Sequence, residues 1–88
     1  MIQITVIKNP TGCDMCEETG RIVAEAAKKF PGEEIKLDLI NNGTPEAASF
    51  GIITTPVVAI NRKIYSMGKP VIAEKVETWI RKELGRPA

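Results

Sequence analysis

Apolar and polar positions alternate from the start of the chain, where Ile2, Ile4 and Val6 are separated by Gln3 and Thr5 and followed by Ile7. A period of two in β-rich residues predicts a strand, and the turn formers Asn9-Pro10-Thr11-Gly12 end it. The period then changes. From Asp14 to Phe30, Met15, Ile22, Val23, Ala26, Ala27 and Phe30 recur at helical spacing. Asp14, Glu17 and Glu18 occupy the first turn and Lys28 and Lys29 the last, as the helix dipole favours, and Pro31-Gly32 stops the helix. Ile35, Leu37 and Leu39 alternate with Lys36 and Asp38, predicting a second strand. A helical crossover places it parallel to the first, in a right-handed βαβ unit.

Asn41-Asn42-Gly43 breaks that strand, and Thr44-Pro45-Glu46 is a helix start with a hydroxyl cap and Pro at the first helical position. Gly51 marks the end of this short helix. Ile52 and Ile53 lead through Thr54-Thr55-Pro56 to the apolar run Val57–Ile60, a third strand. Asn61-Arg62-Lys63 is a short turn and residues 63–67 alternate as a fourth strand, so the pair is expected as an antiparallel hairpin. After Met67-Gly68, Lys69-Pro70 is expected to open the last helix, with Ile72, Val76, Trp79 or Ile80, and Leu84 facing inward and Gly85 at its end. The tail Arg86-Pro87-Ala88 is expected to fray. The order βαβ, short helix, ββα implies an α/β domain over residues 1–88, a four-stranded mixed sheet with helices on both faces.

Composition narrows the chemistry. A length of 88 residues suits one domain, and 43% hydrophobic with 26% charged residues is an ordinary globular balance. A net charge of +1 and 5% aromatic residues argue against nucleic acid and membrane surfaces as partners. The absence of His removes the commonest general base and metal ligand, and with them the Ser–His and Cys–His hydrolases. No stretch has the length of a membrane span and no export leader is visible, so a cytoplasmic, reducing address is expected.

Two cysteines remain, in Gly12-Cys13-Asp14-Met15-Cys16, at the step from first strand to first helix. Three residues at a rise of about 1.5 Å each, turned through nearly a full circle, put both on one side of the opening helical turn. Their Cα separation then falls in the range of roughly 4.4–6.8 Å that a disulfide requires. Cys13, with unpaired N–H groups and the positive dipole end near its sulfur, reads as the nucleophile. Cys16, one turn in, reads as the resolving thiol. Two other readings stand beside this one: a pair of buried structural thiols, and a soft-metal site for copper(I), which accepts two thiolates. Met15, between the cysteines, is expected to be exposed and to contribute to an apolar docking patch. Asp14, Glu17 and Glu18 oppose ionisation of Cys13, which favours a less acidic thiol and reducing work.

Thr55-Pro56, ahead of a strand expected to be central, resembles the cis-proline signature of the thioredoxin-like superfamily. The resemblance extends over nearly the whole chain: strand, Cys-x-x-Cys, helix, strand, short helix, Thr-Pro, hairpin, Gly, helix. It is strongest to small archaeal and bacterial thioredoxin/glutaredoxin-like redox proteins, which share a Thr-Gly-Cys-x-x-Cys loop and Met-Gly after the last strand. The resemblance implies that Pro56 is cis and faces the cysteines and that the Thr55 backbone is free to pair with a substrate chain. It adds Gly12, Met15, Lys8 and Gly68 to the substrate-binding set, with Lys8 stabilising the Cys13 thiolate or holding a carboxylate.

This sequence departs from thioredoxins in having Gly12 before Cys13 and Asp14-Met15 between the cysteines, and β-strand residues 2–7 offer no buried carboxylate. Where glutaredoxins place an acidic residue for the glutathione amine, Lys69-Pro70 follows Gly68. A copper chaperone of similar spacing has Met two residues before the first cysteine, where Thr11 stands here. The expected activity is therefore protein disulfide reduction by a monomer that needs no cofactor or metal. Its partners are disulfide-bearing proteins and a reductant, either a thioredoxin-reductase-like enzyme or a low-molecular-weight thiol.

Overall fold

The computed structural model describes residues 2–9, 14–51 and 54–85. Gly12, Cys13, Ile52, Ile53 and the tail 86–88 lie outside the described residues. The element order is β1 (Ile2–Lys8), α1 (Asp14–Ala27), β2 (Ile35–Asn41), α2 (Pro45–Ala48), β3 (Val57–Ile60), β4 (Lys63–Met67) and α3 (Ala73–Glu83). The strands form one mixed sheet in the order β2-β1-β3-β4. β1 runs parallel to β2 from Ile2 opposite Ile35 to Lys8 opposite Asn41, and antiparallel to β3. β3 and β4 form the antiparallel hairpin. The architecture is the α/β one expected. No helix among the described residues is long and apolar enough to cross a membrane.

Alternation along β1 divides the core. Ile2, Ile4 and Val6 join Val58 and Ile60 of β3 on one face, where Val23 and Ala26 of α1 and Val76 and Ile80 of α3 pack onto them. Ile7 points the other way and meets Val57 and Ala47, the latter from α2. Helices α1 and α3 thus cover one face and α2 the other. α2 starts as the sequence predicts: Thr44 is extended, its Oγ1 accepts the Ala47 N–H at 3.3 Å, and Pro45 follows. The β3–β4 turn has Asn61 at φ 51° and Arg62 at φ 68°, the left-handed pair that a two-residue hairpin demands. Arg62 is held there by its guanidinium, which lies 4.6 Å over the Phe50 ring and donates to Ser49 Oγ at 3.0 Å.

Three expectations are corrected. α1 ends at Ala27, not Phe30, because the chain tightens into bonds from Lys29 N–H to Ala26 and from Phe30 N–H to Ala27, which leaves Lys28 and Lys29 outside the helix. α3 opens at Ala73, not at Lys69-Pro70. Ile72 precedes it in extended geometry (φ −117°, ψ 150°), so side chains alternate across this segment: Val71 is buried and Ile72 is 54% exposed. Proline fixes its own φ but does not start a helix unless the next residues follow. Finally, β4 does not alternate simply. A register shift between Val58 and Ala59 buries Ser66 and leaves Ile64 facing out. The inward face of α3 is Val76 and Ile80, with Trp79 and Leu84 half-buried, and Trp79 stacks on Tyr65 at 5.4 Å.

Substitution at α3 separates the two readings of its inward face. Ile80→Ala should cost about 2–5 kcal/mol in urea unfolding, whereas Ile72→Ala should stay within about 0.5 kcal/mol.

Tyr65 also ties β4 to the end of α3. Its hydroxyl donates to the Glu83 carboxylate, which accepts as well from Asn61 Nδ2 at 3.3 Å and lies 3.4 Å from Lys63 Nζ. Burial, then the bond to Glu83 and its charge, push Tyr65 from 10.0 up to about 12. The Tyr65 hydrogen bond foremost, with Asn61 and Lys63, holds Glu83 below its ordinary 4.5. The lowered carboxylate stabilises the fold above its ordinary pKa and loses that effect as pH falls through the folded value. The raised phenol stabilises below pH 10 and loses that effect as pH rises towards 12. The urea midpoint of wild type should therefore decline on both flanks, and Tyr65→Phe should lower the plateau while flattening the acid flank.

Candidate functional site

The C-terminal end of β1 gathers most of the residues singled out in the sequence. α1 begins at Asp14, one residue after Cys13, and its first turn carries Asp14 and Glu17. Cys16 is the third residue of that helix, is 1% exposed and is disulfide-bonded. Its neighbour Met15 points outward at 43% exposure, a large apolar side chain presented to solvent beside the sulfur chemistry. Thr19, one turn further on, is buried with Cys16 on the inner side of the helix.

Lys8 closes β1 and is half-buried; its carbonyl accepts the Asn42 N–H at 2.7 Å, which fixes the strand end against the turn after β2. Among the described residues no carboxylate lies within ion-pair distance of the Lys8 ammonium.

The segment before β3 comes to the same end of the sheet, because antiparallel pairing sets Val57 opposite Ile7. The Thr55–Pro56 peptide bond is cis, and Pro56 is fully buried. Thr55 Oγ1 donates to Asn9 Oδ1 at 2.9 Å, which fastens this segment to the residue after β1. Among the described residues, neither the N–H nor the carbonyl of Thr55 has a backbone partner. A backbone N–H and carbonyl without such partners are groups that another chain can pair with.

Gly68 backs this arrangement. Its N–H donates to the Pro56 carbonyl at 2.8 Å. Its φ is +72°, and a Cβ there would stand 2.9 Å from Thr54 Cγ2, so both conformation and space require glycine. In the sequence Asn9 shows only the character of a turn former. Its pairing with Thr55 spans 46 positions, and nothing local in the sequence signals it.

Among the described residues no group of three or more Cys, Asp or Glu is placed to hold a metal ion. The arrangement brings to one end of the sheet a buried sulfur in a helix's first turn, an exposed apolar neighbour, and a buried cis-proline preceded by Thr55, whose backbone has no backbone partner among the described residues.

No curated protein matches the chain. Among solved structures, a protein of unknown function from Staphylococcus aureus superposes with a TM-score of 0.66 at 13% identity, covering 98% of this chain and 94% of that one, a likeness of fold. A family model described as thioredoxin domain matches residues 2–81. That span takes in β1 through most of α3, including both cysteines and Thr55-Pro56, and it points to thiol–disulfide redox chemistry. The chain therefore belongs to the thioredoxin-domain family.

Proposed function

We propose that this protein is a thiol–disulfide oxidoreductase that reduces protein disulfides through Cys13 and Cys16. The observation that carries the reading is the disulfide-bonded Cys16, buried in the first turn of α1 at the sheet end where cis Pro56 follows Thr55, whose backbone has no backbone partner among the described residues. In the reduced protein Cys13, next to the unpaired N–H groups of the helix start, is the thiolate nucleophile. It attacks one sulfur of the target disulfide. A bond forms between Cys13 and that sulfur, and the other target sulfur leaves as a thiolate and takes up a proton.

Cys16 then gives its proton to water and attacks Cys13. The Cys13–Cys16 bond forms, the mixed disulfide breaks, and the second target thiol departs, so two electrons have passed from the protein dithiol to the target. A low-molecular-weight thiol or a thioredoxin-reductase-like enzyme restores the dithiol. Thr55 holds the extended target by backbone pairing, Met15 offers it an apolar contact, and the Gly68 bond to Pro56 keeps the Thr55 segment in place.

Insulin reduction in dithiothreitol tests the reading. Cys13→Ser should fall below about one-hundredth of wild-type activity, a loss typical of removing a nucleophile. Cys16→Ser should accumulate a mixed disulfide with the target, visible by mass spectrometry. Retention of activity in Cys13→Ser would overturn the proposal. Gly68→Ala should cost about 1–3 kcal/mol in urea unfolding through its left-handed backbone and the contact with Thr54. It should also slow insulin reduction, because the displaced Thr54 adjoins Thr55.

A further inference from the structure

A groove of about 320 Å³ opens between α1 and β2, lined by Lys8, Cys16, Glu17, Gly20, Arg21 and Leu39. Its size is that of the smaller clefts that take ligands or anchor side chains. Two of its residues have no packing reason to be what they are. Leu39 shares a face of β2 with Ile35 and Leu37, which pack on the core, yet it is 54% exposed. Gly20 sits in the middle of a 14-residue helix, where glycine is the poorest choice short of proline. Space does not demand it either, since a Cβ there would lie 3.7 Å from Leu39 Cδ2, an ordinary contact. Any longer side chain at this position would occupy the groove. What Gly20 preserves is an open apolar wall running from Leu39 to Cys16.

The rim is charged. Arg21 is taken up by Glu18, while Lys8 at the β1 end and Glu17 on α1 have no ion-pair partner among the described residues. Opposite charges on opposite sides orient whatever enters, with its negative end towards Lys8.

We infer that this groove is a substrate subsite that seats an apolar side chain of a polypeptide substrate next to its reacting cysteine, with a neighbouring carboxylate held by Lys8. The inference rests on the redox reading above, since its position alongside Cys16 is what makes it part of the exchange site. In the step it serves, the protein dithiol becomes a disulfide and the substrate disulfide becomes two thiols.

Two synthetic peptides test it, each bearing one cysteine as its 2-nitro-5-thiobenzoate disulfide. One has Leu and Glu beside the cysteine and the other has Ser at both places; hydroxyethyl disulfide serves as a substrate without side chains. Wild type should show a kcat/KM at least tenfold higher for the Leu/Glu peptide than for the Ser peptide. Gly20→Leu, which fills the groove, and Leu39→Asp, at a side chain already exposed, should each reduce that preference below twofold. Lys8→Gln should reduce it and remove its dependence on salt. Equal rates on the two peptides, or a preference that survives both Gly20→Leu and Leu39→Asp, would overturn the subsite while leaving the redox reading intact. Failure of wild type to reduce either peptide, hydroxyethyl disulfide and insulin alike would overturn the redox reading itself, and the subsite with it.

Discussion

Strand β1 is paired on both edges, in parallel with β2 and antiparallel with β3, and carries fully buried side chains on both faces. That double constraint fixes where its C-terminal end lies, and the site hangs from that end. The helix bearing Cys16 starts six residues after Lys8, and Asn9 takes the Thr55 hydroxyl. A shift of one residue in the β1–β3 register would turn Ile4 and Val6 away from α1 and α3, and would carry Thr55 off Asn9. Core packing and site geometry are therefore specified by the same contacts.

With no His in the chain, the means available at the site are largely those of the backbone. The start of α1 carries the positive end of the helix dipole, the Thr55 amide and carbonyl have no backbone partner among the described residues, and the Gly68 N–H fastens the Pro56 carbonyl. Side chains add apolar surface: Met15 on one side of Cys16 and Leu39 on another, both exposed where large hydrophobic residues are usually covered. The two flank the buried sulfur from different elements, one from α1 and one from β2.

Much of this was legible in the sequence because local signals and global fold agree. Alternation marked β1 and β2, Thr44-Pro45 marked the start of α2, and Thr55-Pro56 marked the cis peptide bond ahead of β3. The failures have physical causes. Lys69-Pro70 looks like a helix start, yet α3 opens only at Ala73, after an extended Ile72 and with Val71 already filling the core. The register shift opposite Val58 and Ala59 arises from pairing between strands, so the pattern of β4 alone does not reveal that Ser66 is the buried residue. The Asn9–Thr55 bond and the groove between Gly20 and Leu39 join residues far apart in the chain, and neither has a periodic signature.

On the proposed mechanism the two cysteines form one reversible two-electron couple under native conditions. Equilibration of the folded protein across a series of oxidised and reduced dithiothreitol ratios, followed by maleimide trapping and mass measurement, tests it directly. Both cysteines should be labelled together or not at all, along a single transition in which the potential spans about 30 mV per tenfold change in the reduced-to-oxidised ratio. Labelling of one cysteine independently of the other, or a pair that never exchanges with dithiothreitol while the protein stays folded, would contradict it.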